Sequence, residues 1–274
     1  MMNRKDPIVV LGMHRSGTTL LAEILAELGV FMGHKLEAHF ESLFFKKLNV
    51  LILERAHANW DVPLGLNYVM TEPETKKNIE IVIREKINSS RFVFEYTGIR
   101  RHNLFLKDDN YLWGWKEPRT TITFPLYDKI FPDARYIFLF RNGVDVAKSL
   151  VAREMTRKGN LKNDIYSVRC TSYEGAFNLW EEYNSFFFKH YDESIPMLSI
   201  SYERLLSDPH TEINNIFKFI GLTTGKENIE NICRKINHSR KYSFIDDPQL
   251  LDFYEKVRTT PLMKKLGYDK IIED

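Results

Sequence analysis

The sequence predicts an α/β fold in three layers, with a central, mainly parallel sheet flanked by helices on both faces. Two observations predict it. Short apolar runs typical of buried strands alternate along the chain with longer stretches whose apolar residues recur at helical spacing. The first strand and helix are also joined by a glycine-rich loop. The chain of 274 residues contains no repeat and no clear linker, so we expect one domain over residues 1–274.

The first predicted unit is a strand, a loop and a helix. The apolar run Ile8–Leu11 predicts a buried strand, and leucine and isoleucine then recur at helical spacing until Gly29, a residue type that often ends helices. Further buried strands are predicted from their apolar and β-branched or aromatic content. They lie at residues 92–96, 112–116, 136–140 and 197–202.

Helices are predicted between and after these strands. Apolar periodicity indicates helices around residues 79–87, 176–191 and 213–220. The last of these has both boundary signals. Asp208 can cap its first turn with Pro209 at the first helical position, and Gly221 follows its end.

Composition excludes several classes of function. The 39 basic and 37 acidic residues give a net charge of only +2, which does not support a nucleic-acid partner. The N-terminal region resembles neither a signal peptide nor a membrane span. Two cysteines are too few for a disulfide framework, and the histidines show no metal-ligand spacing, so we expect a cytoplasmic protein without a metal site. The sequence does not indicate an oligomeric state.

Residues 12–19, of sequence GMHRSGTT, have the P-loop spacing of two glycines separated by four residues. The backbone N–H groups of such a loop, together with a helix N-terminus, bind phosphate. The lysine that follows the second glycine in a nucleotide P-loop is Thr18 here, and the loop carries Arg15 instead. The neighbouring strand ends in Arg141 rather than in an aspartate suited to magnesium. A P-loop-like fold that binds an anion is therefore predicted.

A second anion site is predicted where the strand at 136–140 ends. Arg141 would stand at the carboxyl end of this strand, Asn142 would cap the following helix, and Ser149 would lie two turns into it. A guanidinium and a hydroxyl in this arrangement can bind a second phosphate. The alternative is that Arg141 only pairs with Asp145 and that Ser149 is a packed polar residue.

The loop at 15–19 together with 141–145 and Ser149 resembles the family of sulfotransferases that depend on 3′-phosphoadenosine 5′-phosphosulfate (PAPS). The resemblance implies that the loop holds the 5′-phosphosulfate and that Arg141 and Ser149 hold the 3′-phosphate. The family usually has proline where Gly143 stands. Segments that extend the resemblance are 115–119, 131–135, 202–209 and, as in bacterial-type members, 39–49.

The resemblance also implies roles for individual residues in an in-line transfer of a sulfuryl group. Lys116 would meet the charge on the bridging oxygen of the leaving phosphate, and Arg15 would bind the phosphosulfate. Glu41 is the first choice for the base and Glu117 the second, ahead of His14 and His39. The residues predicted to bind the donor are His14, Arg15, Ser16, Gly17, Thr18, Thr19, Arg141, Ser149, Tyr202 and Arg240.

The acceptor is expected to be a hydroxyl-bearing molecule. Glycans, lipids and small metabolites all stay open, and the resemblance favours a carbohydrate or another small molecule. Trp60 stands in a turn-like stretch, and an exposed aromatic residue there could contact it. Two other functions stay open on the sequence. One is a nucleotide kinase of the P-loop type, and the other is a non-catalytic nucleotide-binding module of the same fold.

Overall fold

The computed structural model describes residues 6–108, 111–158, 167–222, 226–237 and 240–271. Strands and helices are numbered in chain order. The strands in these ranges are β1 (Ile8–Leu11), β2 (Leu36–Glu37), β3 (Glu41–Ser42), β4 (Gly114–Lys116), β5 (Arg135–Phe140) and β6 (Met197–Ser201).

The helices of the described residues surround these strands. They are α1 (Thr18–Glu27), α2 (Leu43–Arg55), α3 (Leu66–Thr71), α4 (Pro73–Ile87), α5 (Ile99–Lys107), α6 (Thr120–Asp128), α7 (Gly143–Lys158), α8 (Tyr173–His190), α9 (Tyr202–Ser207), α10 (Pro209–Ile220), α11 (Lys226–Cys233), α12 (Pro248–Val257) and α13 (Pro261–Lys265). Within the described ranges, no helix is long and apolar enough to cross a bilayer.

Four strands form one sheet in the order β4–β1–β5–β6, and every neighbouring pair is parallel. Val10 of β1 is in register with Lys116 at the end of β4, and Leu11 is in register with Phe138 of β5. Because parallel strands end at the same edge, the residues that follow β1, β4, β5 and β6 meet there. This edge carries the loop at 12–17, Lys116, Arg141 and Tyr202.

Each face of the sheet has its own core. Val9 and Leu11 of β1 pack into a cluster with residues of α2, α6, α7 and α8, whereas Ile8 and Val10 pack into a second cluster with α1, α9, α10 and α11. This alternation follows from the two-residue period of a strand. Helices therefore cover both faces, and the predicted three-layer α/β fold with a mainly parallel sheet is confirmed.

Local signals give the correct boundaries of α10. Asp208 Oδ1 accepts a hydrogen bond from the Thr211 N–H at 3.1 Å, Pro209 occupies the first turn, and Gly221 takes a left-handed conformation with φ of 73°. The predicted strand at 197–202 ends one residue early, because the Ser201 hydroxyl caps α9 by accepting from the Arg204 N–H at 3.4 Å. The strand predicted at 112–116 is β4, which begins at Gly114.

The strand predicted at 92–96 is wrong. Phe92–Thr97 forms a π-helical turn that follows the end of α4. Phe92 and Tyr96 are four residues apart and both buried, and their rings stack at a centroid distance of 4.8 Å. Tyr96 also packs edge-on against Phe45 of α2 at 5.3 Å. An aromatic-rich run resembles a strand in sequence, but here packing of one helical face decides the backbone.

Candidate active site

The loop after β1 runs so close to its neighbours that its two glycines have no room for a side chain. A Cβ on Gly12 would lie 2.5 Å from the Leu139 carbonyl oxygen, and a Cβ on Gly17 would lie 2.3 Å from the Tyr202 ring. Both residues have positive φ, at 148° and 95°. The Gly12 N–H donates to Thr121 Oγ1 at 2.8 Å, which fixes the entry of the loop.

Helix α1 begins directly after this loop, at Thr18, and has neither a side-chain cap nor an acidic residue in its first turn. The first N–H groups of such a helix bind anions. Ser16 and Thr18 are buried beside them, and Thr19 Oγ1 donates to the His39 carbonyl at 3.3 Å. The loop thus brings the predicted residues 14–19 to one helix N-terminus.

Arg141 follows β5 at the same edge and is 7% exposed. Its guanidinium lies 4.6 Å from the centroid of the Tyr202 ring, Nη2 donates to the Arg240 carbonyl at 2.9 Å, and Nη2 is 3.3 Å from Asp145 Oδ2. Its Nε is buried and has no hydrogen-bond partner among the described residues. A buried donor of this kind fits an anionic ligand. Three predicted donor-site residues, Arg141, Tyr202 and Arg240, therefore lie together.

Gly143 begins α7, and its small size has a structural reason. A Cβ on Gly143 would lie 2.7 Å from ring atoms of both Phe177 and Trp180 of α8. The Trp180 indole N–H also donates to the Arg141 carbonyl at 3.2 Å. The predicted cap is present, since Asn142 Oδ1 accepts from the Val144 N–H at 2.9 Å. The close packing of α8 thus explains why position 143 has a glycine and not a larger residue.

The two predicted anion sites touch through Arg15 and Ser149. Arg15 has a positive φ of 69°, and its Nε donates to Ser149 Oγ at 2.8 Å. Arg15 is exposed, unlike the buried Arg141. The loop cation therefore lies beside the second site, and one ligand with two anionic groups can reach both.

Lys116 ends β4 on the other side of the loop and is 1% exposed. Its Nζ is 3.6 Å from Glu41 Oε1. Burial lowers the pKa of Lys116, while the charges of Glu41 and Glu117 act in the opposite direction. Glu41 lies in β3, directly after a tight turn in which His39 and Phe40 have positive φ. The predicted lysine and the first-choice base are thus neighbours.

Glu117 is completely buried and is held by a network of hydrogen bonds. Its Oε1 accepts from Arg119 Nη1 at 2.5 Å, and its Oε2 accepts from Asn49 Nδ2 at 2.5 Å. Asn49 also donates to Thr120 Oγ1 and accepts from the Thr123 and Tyr127 hydroxyls, each at 2.9 Å. Burial raises the pKa of Glu117, against the charge of Arg119. The sequence analysis gave Asn49 no functional role. A polar residue inside the apolar stretch of α2 is the feature that could have indicated one.

His14 and Trp60 form an aromatic contact behind the loop. Their rings meet edge-on at 5.1 Å, and the His14 ring is also 6.1 Å from Tyr183. Burial, aided by nearby cations, lowers the pKa of His14 well below its usual value, so its imidazole is neutral. Trp60 is only 6% exposed, with Arg153 over its ring at 4.6 Å, so the idea of an exposed loop aromatic is wrong.

The geometry thus combines a phosphate loop, a buried arginine and a buried lysine at one sheet edge. Residues 7–226 match the model of the Sulfotransferase family. The chain belongs to the sulfotransferase family. A search of curated protein sequences finds no match for this sulfotransferase.

Solved structures show the same fold. The sulfotransferase domain from the Synechococcus PCC 7002 olefin synthase has 22% identity and a TM-score of 0.53, with 99% of this chain and 98% of that chain covered. The sulfotransferase domain from the curacin biosynthetic pathway has 18% identity and a TM-score of 0.50, with 97% and 99% covered.

Replacing Asn49 with alanine tests the buried network. We expect Asn49→Ala to lower the free energy of unfolding by about 1–3 kcal/mol, because Glu117, Thr123 and Tyr127 lose a buried partner. Denaturant unfolding measures this change. The exposed Asn103 supplies a matched control, Asn103→Ala, with an expected change within about 0.5 kcal/mol. Equal effects of the two substitutions would contradict the network.

Proposed function

We propose that this sulfotransferase moves a sulfuryl group from PAPS to an acceptor hydroxyl by in-line displacement. One observation carries the proposal. Within the part of the chain that the structure describes, Arg141 has a buried Nε without a partner, and it lies on the ring of Tyr202, next to the phosphate loop and its uncapped helix. A donor whose anionic groups stand at the 5′ and 3′ positions of one nucleoside matches two adjacent anion sites of this kind.

The donor would be held from both sides of the loop. The 5′-phosphosulfate belongs at the N-terminus of α1, where the N–H groups of residues 14–19 and the hydroxyl of Thr18 can donate to it. The Thr19 hydroxyl can also donate to it once it leaves the His39 carbonyl. The 3′-phosphate belongs between Arg141 and Ser149. Arg15, which donates to Ser149 Oγ, lies between these two positions. His14 contributes through its backbone, since its ring packs on Trp60.

Protonated Lys116 would supply the main electrostatic stabilisation of the reaction. As the acceptor oxygen bonds to sulfur, the bond from sulfur to the bridging oxygen breaks, and negative charge grows on the leaving 5′-phosphate. A fixed ammonium at that oxygen lowers the barrier, most strongly in a buried site. Lys116 is 1% exposed and already held by Glu41 at 3.6 Å.

Glu41 would take the proton that the acceptor hydroxyl loses. Its side chain is partly exposed, at 16%, and its carboxylate lies 3.6 Å from Lys116 Nζ. Glu117, in contrast, is completely buried and has both oxygens bonded, one to Arg119 and one to Asn49. These contacts favour Glu41 as the base and give Glu117 a positioning role. The products are then the sulfated acceptor and 3′,5′-adenosine bisphosphate.

The acceptor of this reaction is proposed to be a carbohydrate or another small hydroxyl compound. It would have to approach Lys116 from the side of β3, where Glu41 lies. A P-loop kinase is disfavoured, since Thr18 replaces the lysine and Arg141 replaces the magnesium-binding aspartate.

Donor binding tests the proposal directly. In calorimetry without magnesium, we expect 3′,5′-adenosine bisphosphate to bind at least about tenfold more tightly than ATP with magnesium. Arg141→Ala should weaken this binding roughly ten- to hundredfold, because it removes a charged hydrogen-bond donor. Tight binding of ATP with magnesium, and none of the bisphosphate, would refute the proposed donor.

Transfer of labelled sulfate tests the two catalytic assignments. We expect Lys116→Ala to lower kcat roughly 10²- to 10³-fold and Glu41→Gln roughly 10²- to 10⁴-fold. Glu37 of β2 lies opposite Glu41 of β3 in the antiparallel register. The substitution Glu37→Gln is therefore the control, for which we expect little change in kcat. Unchanged transfer in both mutants would overturn the assignments. A wild-type protein that binds the bisphosphate but transfers to no acceptor would favour the non-catalytic module.

The pH dependence of kcat tests the charge of Lys116. The protonated form is the active one, and burial lowers its pKa. The rate should therefore fall as pH rises through a value below that of free lysine, about 10.4. Arginine keeps its charge in this range, so Lys116→Arg should remove the alkaline fall, at a reduced rate. An identical alkaline fall in Lys116→Arg would assign it to another group.

A further inference from the structure

A buried carboxylate lies directly behind the second anion site. Glu203, in the first turn of α9, is 3% exposed. Its Oε1 accepts from the Asn142 N–H at 3.0 Å, and its Oε2 accepts from the Ser201 hydroxyl at 2.9 Å and from the Tyr268 hydroxyl at 2.5 Å. Glu203 therefore connects the start of α7, the end of β6 and the C-terminal region, residues 240–271.

Asn142 and Glu203 are immediate neighbours of residues that would bind the donor. Asn142 follows Arg141, and Glu203 itself follows Tyr202, whose ring supports the Arg141 guanidinium at 4.6 Å. The hydrogen bond from the Asn142 N–H to the Glu203 carboxylate thus links the residue after Arg141 to the residue after Tyr202. Burial raises the pKa of Glu203, and its hydrogen-bond donors counteract the rise, so the carboxylate needs its partners.

The C-terminal region makes a second set of contacts at the start of α7. Asp145 Oδ1 accepts from the Ser243 hydroxyl at 2.8 Å and from the Phe244 N–H at 3.2 Å, and Lys148 Nζ donates to the Ser243 carbonyl at 2.5 Å. These bonds occupy one oxygen of Asp145, and the other lies 3.3 Å from Arg141. The stretch around Ser243 therefore lies along the first turns of α7.

These contacts come from a part of the chain beyond the family match, which ends at residue 226. The region is internally packed. Phe244 is fully buried and its ring lies 5.0 Å from that of Tyr254, whose hydroxyl donates to the Tyr268 carbonyl at 3.1 Å. Through Tyr254 and Phe244, Tyr268 is therefore packed together with the segment that contacts Asp145, and its own hydroxyl contacts Glu203.

We propose that Tyr268 and Glu203 are positioning residues for the donor, through which the C-terminal region holds Arg141 in the geometry that binds the 3′-phosphate. The inference rests on the proposed function, since it concerns the same ligand. The hydroxyl of Tyr268 acts through Glu203 and the Asn142 N–H and does not itself bind the donor. A binding residue that is already fixed before the ligand arrives lowers the entropic cost of binding. The hydrogen bonds from Tyr268 and Asn142 to Glu203 should therefore raise the affinity for the donor.

Two nucleotides that differ in the 3′-phosphate test this inference by calorimetry. Tyr268→Phe should weaken binding of 3′,5′-adenosine bisphosphate roughly three- to thirtyfold, because it removes only the tie to Glu203. Binding of adenosine 5′-phosphosulfate, which lacks the 3′-phosphate, should change much less. The matched control is Tyr136→Phe, since Tyr136 is also buried and its hydroxyl has no hydrogen-bond partner in the described ranges. This control should leave both affinities unchanged.

A double-mutant cycle with Glu203→Gln completes the test. Both substitutions disrupt the same hydrogen bond, the one from Tyr268 to Glu203. The sum of their separate effects on the bisphosphate affinity should therefore clearly exceed the effect of the double mutant. Should Glu203→Gln fail to fold, the single Tyr268→Phe comparison still decides the question.

The outcomes separate this inference from the proposed function. A wild-type protein that does not bind the bisphosphate refutes the proposed donor. If the wild type binds it and Tyr268→Phe binds equally well, the inference is overturned and the proposed function stands. Equal losses for both nucleotides, or a lower melting temperature with unchanged affinities, would show a merely structural role and also overturn the inference.

Discussion

The parallel register of β4, β1 and β5 places the three main cations of the candidate site, Lys116, Arg15 and Arg141. Lys116 leaves the sheet from β4, the phosphate loop from β1 and Arg141 from β5, all at the same edge. The loop can only pass between its neighbours because Gly12 and Gly17 have no side chain to meet the Leu139 carbonyl and the Tyr202 ring. A change in register of one residue would turn these groups into the cores on the two faces.

Burial of charge is the main energetic demand of such a site, and the chain meets it by pairing. Lys116 faces Glu41, Arg119 binds Glu117, and Arg141 lies beside Asp145. An unpaired charge in these places would be strongly destabilising. The pairs differ in their surroundings. The carboxylate of Glu117 is held by Asn49 and Arg119, whereas the side chain of Glu41 is 16% exposed, and this difference underlies the different roles proposed for them.

The C-terminal region adds a constraint that the family match does not include. Residues 7–226 contain the sheet and both predicted anion sites. Ser243, Phe244 and Tyr268 then bind Asp145 and Glu203 from outside that range. Contacts of this kind depend on tertiary packing, and under the proposed function they would act on donor affinity away from the ligand.

The sequence by itself determined the elements with local signals. The strand, loop and helix at residues 8–27, the cap at Asp208 and the position of Arg141 after β5 follow from spacing and residue type. The π-helical turn at Phe92–Thr97 did not, because ring packing overrode strand propensity there. Only the tertiary structure decided that Lys116 meets Glu41, that Asn49 holds Glu117, and that Tyr268 reaches Glu203. Hydrogen bonds and ion pairs between residues far apart in the chain depend on how helices pack on the sheet, and they leave no periodic pattern in the sequence.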